Sequence, residues 1–269
     1  MSPDSGMTVP AFRNRKGGGP PLVVLTAYDS VTAEVAETAG VDALLVGDSL
    51  GNVLLGHEST MAVGMEEMLH HARAVGRARR RALLIADMPW MSYHLGARDA
   101  VVHAARFVRE AHADAVKLEG GANRVPVIRA LLDAEIPVMG HLGLTPQSRL
   151  GMGGYRVQGR DEESADGLLR DAAELTRAGV FSLVLEGIPG ELAARVTSEV
   201  DVPTIGIGAG SACDGQVLVF HDLLGMLNGK SPKFVRRYAE IREQQIEAIR
   251  RWATDVRDRA FPSDEETYA

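Results

Sequence analysis

Eight apolar runs of strand length recur along the chain, at residues 22–25, 43–47, 83–86, 115–118, 137–140, 181–185, 204–207 and 217–220. They are almost continuously hydrophobic rather than alternating, as expected of strands covered on both faces. Stretches with helical spacing lie between them, at residues 31–39, 65–80, 97–111, 125–134 and 167–178. Several close on a Gly or Asp just before the next run, as at Gly40-Val41-Asp42, Ala113-Asp114 and Gly179, which suits a helix ending in a left-handed glycine. Strand–helix alternation repeated eight times predicts a single-domain α/β fold, the (β/α)8 TIM barrel. A doubly wound open sheet is the competing architecture, and it normally uses fewer strands.

The expected organisation is a flexible N-terminal segment over residues 1–21, a barrel domain over 22–258 and a polar tail over 259–269. The lead-in is expected from Gly17-Gly18-Gly19-Pro20-Pro21, and residues 232–258 read as one long amphipathic helix carrying Phe234, Tyr238, Ile241, Ile246, Ile249 and Trp252. The 269 residues suffice for a large core, and the net charge of −7 argues against general nucleic-acid binding. The single Cys213 cannot form an intrachain disulfide or a paired-cysteine metal site. With no run of about 18 apolar residues and no signal-peptide centre in the first twenty, a cytoplasmic protein without a membrane span is expected.

Polar residues gather where the apolar runs end. Asp48 and Ser49 follow Gly47, Asp87 follows Ala86, Lys117 and Glu119 close the fourth run, His141 follows Gly140, and Glu186 follows Leu185. Parallel barrel strands ending this way place those side chains on one rim, where separate loops can share a substrate. Asp48, Asp87 and Glu119 together make a hard-oxygen set suited to Mg²⁺, although an Asp after a strand also serves as a helix cap. Lys117 inside an apolar strand needs a partner: it could hold a substrate carboxylate, form a Schiff base, or pair with Glu119 or Asp87. Ser49 alone reads as a turn or cap residue. His141 could hydrogen-bond a substrate oxygen, and Glu186 in an apolar setting could act as a general base, or cap or pair instead. Two glycine-rich segments are weaker candidates: residues 206–210 as an anion cradle and residues 151–160 as a lid.

The motifs Gly47-Asp48-Ser49-Leu50-Gly51, Ala86-Asp87-Met88-Pro89, Val116-Lys117-Leu118-Glu119-Gly120-Gly121, Gly140-His141-Leu142-Gly143-Leu144-Thr145-Pro146-Gln147-Ser148 and Gly153-Gly154-Tyr155-Arg156-Val157-Gln158-Gly159-Arg160 occur in this order. In order and spacing they resemble the ketopantoate hydroxymethyltransferase family, and the likeness runs from about residue 25 to residue 233. The resemblance implies a Mg²⁺-dependent (β/α)8 barrel that uses 5,10-methylenetetrahydrofolate as co-substrate. It would transfer a hydroxymethyl group to 3-methyl-2-oxobutanoate, in pantothenate biosynthesis. It further implies that Asp48 and Asp87 bind the metal, that Glu119 does so directly or through water, and that Ser49 and Lys117 hold the keto-acid carboxylate. His141 would contact the substrate's oxygen, Glu186 would be the proton acceptor, and a homodecamer is implied. Gly187 and Glu58 depart from the family's usual Cys and Asp. Two rivals are a Mg²⁺-dependent carbon–carbon lyase of the isocitrate lyase type, disfavoured because its catalytic Cys has no counterpart in the loops, and a catalytically silent keto-acid-binding barrel.

Overall fold

The structure, a computed structural model, describes residues 6–229 and 231–268. Eight parallel strands close into a barrel in chain order. They are β1 (Leu22–Thr26), β2 (Ala43–Val46), β3 (Leu83–Asp87), β4 (Ala115–Glu119), β5 (Val138–Gly143), β6 (Ser182–Glu186), β7 (Thr204–Ile207) and β8 (Gly215–Leu218). Closure comes from β1 pairing with β8, Leu22 opposite Gly215 through Leu25 opposite Leu218. That register starts and ends β8 two residues before the run read from hydrophobicity, and Phe220 begins a short helix instead. The (β/α)8 barrel expected from the alternation is therefore the observed fold.

Alternate residues of each strand fill the interior, with Val24, Leu45, Ile85, Ala115, Met139, Val184 and Ile205 among the buried core. The outward-facing residues pack under helices such as Met65–Ala78, Ala97–Ala111 and Val125–Asp133. The helix expected at 167–178 spans Glu162–Ala178, because Asp161 caps it by accepting the Ser164 N–H, while Gly179 ends it at φ 107°.

The segment expected to be a flexible lead-in is partly structured. Residues 1–5 lie outside the described residues, but Val9–Arg13 form a helix capped by Thr8. Its Phe12 is wholly buried and meets Phe181 edge to face, centroids 5.7 Å apart, closing the N-terminal end of the barrel. A single aromatic seated in the core outweighs the loop-forming composition that follows it.

The chain divides into two compact units, one through Val219 and one from Phe220 onward. In the second, the helix expected over residues 232–258 begins only at Ile241 and ends at Arg257. The N–H groups of Tyr238 and Ile241 bond the carbonyls of Leu223 and Leu224, so this stretch spends its donors outside a helical ladder. None of the residues of Ile241–Arg257 is buried, and Ile249 and Trp252 are more than half exposed.

Candidate active site

The strand ends bring all seven predicted residues to the C-terminal rim. Register sets them side by side: Asp87 on β3 lies opposite Lys117 on β4, Glu119 opposite His141 on β5, and Gly143 opposite Glu186 on β6. Asp48, Asp87, Lys117, Glu119 and His141 are all buried. Glu186 is the open member, its side chain 16% exposed against 2–4% for Asp87, Lys117, Glu119 and His141.

The contacts run around the rim. The Asp48 N–H donates to Asp87 Oδ2 at 3.3 Å. Lys117 Nζ stands 2.7 Å from Asp87 Oδ1 and 3.3 Å from His141 Nδ1. His141 then lies between two carboxylates, its Nδ1 3.5 Å from Glu119 Oε1 and its Nε2 3.2 Å from Glu186 Oε2. Ser49, half-buried, shares a hydrogen bond of 2.9 Å with the Tyr28 hydroxyl and makes no capping bond to the short helix Leu50–Val53. Gly143 fixes the β5–β6 junction: its φ is 92°, and a Cβ there would lie 2.2 Å from the Glu186 carbonyl oxygen. That oxygen instead accepts the Leu144 N–H at 2.8 Å, which anchors the Glu186 backbone.

Charge is crowded here. Burial first, then the charges of Asp87 and Glu119, push Asp48 well above the usual carboxylate range, with Lys117 and Gln147 offsetting only part. Burial also raises Asp87, against the pull of Lys117. Glu119 is lowered: its burial is outweighed by His141, Lys117 and the Gln147 N–H. For His141, burial and the Lys117 charge oppose protonation, yet bonding to Glu119 and Glu186 prevails and pushes it up to about 9. Burial likewise disfavours the Lys117 ammonium, but Asp87, Glu119 and Asp48 hold it above its ordinary value. Of the partners open to this lysine, the ion pair with Asp87 is the one present.

The donor set fits a hard divalent cation. Asp87 Oδ1 lacks a properly directed hydrogen-bond donor despite the nearby Lys117, and Asp48 is destabilised by its acidic neighbours. Among the described residues no three acids or imidazoles stand together as a ready-made ligand cage. Asp48 and Asp87 are the adjacent pair. Glu119 already accepts from the Gln147 N–H at 2.9 Å, which favours contact through water over direct ligation.

A profile of the family described as ketopantoate hydroxymethyltransferase matches residues 6–264. The chain belongs to that family. It is 54% identical over 264 residues to 3-methyl-2-oxobutanoate hydroxymethyltransferase of Koribacter versatilis, covering 98% of this chain and 90% of the relative. Against the enzyme of that name from Moorella thermoacetica it is 50% identical over 268 residues, all of both chains. In fold it resembles 2,3-dimethylmalate lyase, a member of the PEP mutase/isocitrate lyase superfamily (TM-score 0.59, 18% identity, 97% of this chain and 91% of the other). Phosphonopyruvate hydrolase, solved with oxalate and Mg²⁺, gives a TM-score of 0.61 at 16% identity, over 97% and 93%.

Within this ketopantoate hydroxymethyltransferase fold, Cys213 lies just before β8, at the opposite end of the barrel, buried and raised by burial. The lyase alternative is set aside by the full-length match to relatives named 3-methyl-2-oxobutanoate hydroxymethyltransferase. The glycine-rich turn at 206–210 closes on itself, its Gly210 carbonyl taken by Gln216. Gln158, in the loop read as a lid, donates its N–H to the Gly187 carbonyl at 2.9 Å, beside Glu186. The buried Gln147 and Tyr93 beside the rim acids went unassigned in the sequence. A glutamine in a loop just past a strand end, following a run of rim residues, was the available signal for the first.

Proposed function

We propose that this chain transfers a hydroxymethyl group from 5,10-methylenetetrahydrofolate to 3-methyl-2-oxobutanoate, giving 2-dehydropantoate and tetrahydrofolate in pantothenate biosynthesis. The observation that carries this is Glu186: the most open carboxylate of the cluster, 3.2 Å from a His141 ring that links it to Glu119. Glu186 removes the C3 proton of the keto acid, leaving an enolate. Water adds to the folate's methylene carbon as both of its carbon–nitrogen bonds break, leaving the two folate nitrogens protonated, and the enolate carbon bonds to that formaldehyde-level carbon, whose oxygen becomes the new hydroxyl. Lys117 and Ser49 hold the substrate carboxylate, and His141 donates toward the keto oxygen. Asp48 and Asp87, with Glu119 through water, would hold Mg²⁺, which when bound supplies Lewis-acid stabilisation of negative charge on that oxygen. Lys117 and the protonated His141 offset negative charge in an otherwise acidic mouth.

No helix among the described residues is long and apolar enough to cross a membrane. Family likeness and the lone buried cysteine support a cytoplasmic homo-oligomer, a homodecamer by resemblance, whose size sedimentation would read.

Exchange of the C3 proton of 3-methyl-2-oxobutanoate in heavy water tests the chemistry without folate. Wild type should exchange in a Mg²⁺-dependent manner, and Glu186→Gln should slow this about a hundred- to ten-thousand-fold. No exchange by wild type would leave a silent keto-acid-binding barrel; unimpaired exchange by the variant would remove Glu186 as the base.

A further inference from the structure

Gln147 sits in the loop after β5, buried, yet it reaches across to three other strand ends. Its Nε2 donates to Asp48 Oδ2 at 2.9 Å and to the Met88 carbonyl at 3.0 Å. Its Oε1 accepts from the Tyr93 hydroxyl at 2.5 Å, and its own N–H donates to Glu119 Oε2 at 2.9 Å. Tyr93, 1% exposed, accepts in turn from the Glu119 N–H at 3.2 Å, and the Arg124 guanidinium covers its ring at 5.2 Å.

The donor count settles which way the amide points. A carboxylate and a carbonyl only accept, so the two hydrogens of Nε2 must face Asp48 and Met88. The Tyr93 hydroxyl has one hydrogen, which goes to Oε1, leaving its lone pair for the Glu119 N–H. A flipped amide would turn its oxygen toward the Asp48 carboxylate and the Met88 carbonyl, two acceptors, and lose both of those bonds.

We propose that Gln147, held in one orientation by Tyr93, is a positioning residue that sets the spacing of Asp48 and Glu119 for the divalent cation. The amide engages one oxygen of Asp48, while the main chain of the same residue fixes one oxygen of Glu119. Two acids that repel each other are thereby tied to a single rigid support. This rests on the metal-dependent reading above. Groups that orient metal ligands typically change affinity 10–100-fold when removed.

The test uses Gln147→Met, which keeps length and volume without hydrogen bonds, Tyr93→Phe, which keeps the ring, and the double variant. Mg²⁺ binding to the purified full-length protein is read by calorimetry, alongside the melting temperature of the metal-free protein and the Mg²⁺ dependence of C3 exchange. Gln147→Met should raise the Mg²⁺ Kd about 10–100-fold. Tyr93→Phe should raise it by a smaller factor, and the double variant should fall well short of the product of the two single effects, because Tyr93 acts mainly through the amide. Wild-type Kd values in the folded single variants, or losses that multiply in the double variant, would overturn the proposal. Should Gln147→Met fail to fold, Tyr93→Phe decides: an unchanged Kd refutes the brace. Failure of wild type itself to bind Mg²⁺ or exchange would overturn the functional reading instead, which keeps the two outcomes apart.

Discussion

The two ends of the barrel use the same side chains to opposite effect. At the N-terminal end Asp214 and Lys16 pair at 2.9 Å, and Asp214 also accepts from the Thr204 N–H, the Thr204 hydroxyl and the Gly17 N–H. Asp42 and Asp114 repeat the device, each accepting the N–H of a neighbouring strand, Val23 and Leu84, at 2.8 Å. At the C-terminal rim Asp87 and Lys117 pair at 2.7 Å, yet Asp87 stays raised and Asp48 more so. Burial opposes ionisation of Asp214 too, but the Thr204 N–H and Lys16 hold it below the usual range. A carboxylate saturated with donors is a fastener. One left among other carboxylates is costly to ionise, which suits the divalent-cation role proposed for the rim.

The broadest test of this division is Phe12→Ala. The ring plugs the N-terminal end, fully buried, so its removal should cost about 3–5 kcal/mol of stability. Below the new melting temperature the rate of C3 exchange should match wild type. A folded Phe12→Ala protein with crippled exchange would show that the two ends are coupled and the division false.

Next comes a pair of substitutions expected to differ in sign. Asp48→Asn keeps an acceptor for Gln147 while removing a charge that its acidic neighbours oppose, so the metal-free variant should gain about 0.5–2 kcal/mol at neutral pH, the usual range for one stabilising change. Asp214→Asn strips a charged acceptor from four donor contacts and should lose about 1.5–3 kcal/mol. Added Mg²⁺ should raise the melting temperature of wild type and Asp214→Asn, but not that of Asp48→Asn. Urea midpoints for the metal-free proteins give the signs, and two losses would mean that the rim acids are structural after all.

Much of this contrast was legible in the chain. Strands covered on both faces leave long apolar runs, and the polar residue ending each run, from Asp48 to Glu186, marks the rim directly. Phe12 was hidden because the glycines and prolines after it dominate the local composition, while its own burial depends on Phe181 far along the chain. Asp42 and Asp114 looked like punctuation after helices, and Asp214 carried no signal of its own; their bonds run sideways to a neighbouring strand, which no local pattern reports. Gln147 was quoted within a motif but given no role, since its partners come from β2, β3 and β4 and meet it only when the loop folds across. The helix start at Ile241 was missed for a related reason: helical spacing continues through residues whose N–H groups bond elsewhere.

The smallest predicted effect is a pH window. Asp214 has a folded pKa below its unfolded value of about 3.9, so ionisation favours the folded state. Its contribution is therefore complete above about pH 4 and is lost as pH falls through the lower folded value. The stability gap between wild type and Asp214→Asn should stay level from neutral pH down to about 4 and narrow only below that. Melting temperatures of the two metal-free proteins across that range measure the gap. A gap that closes between pH 7 and 5 would place the protonation step above the ordinary carboxylate range, making Asp214 resemble the rim acids and erasing the distinction between fastener and site.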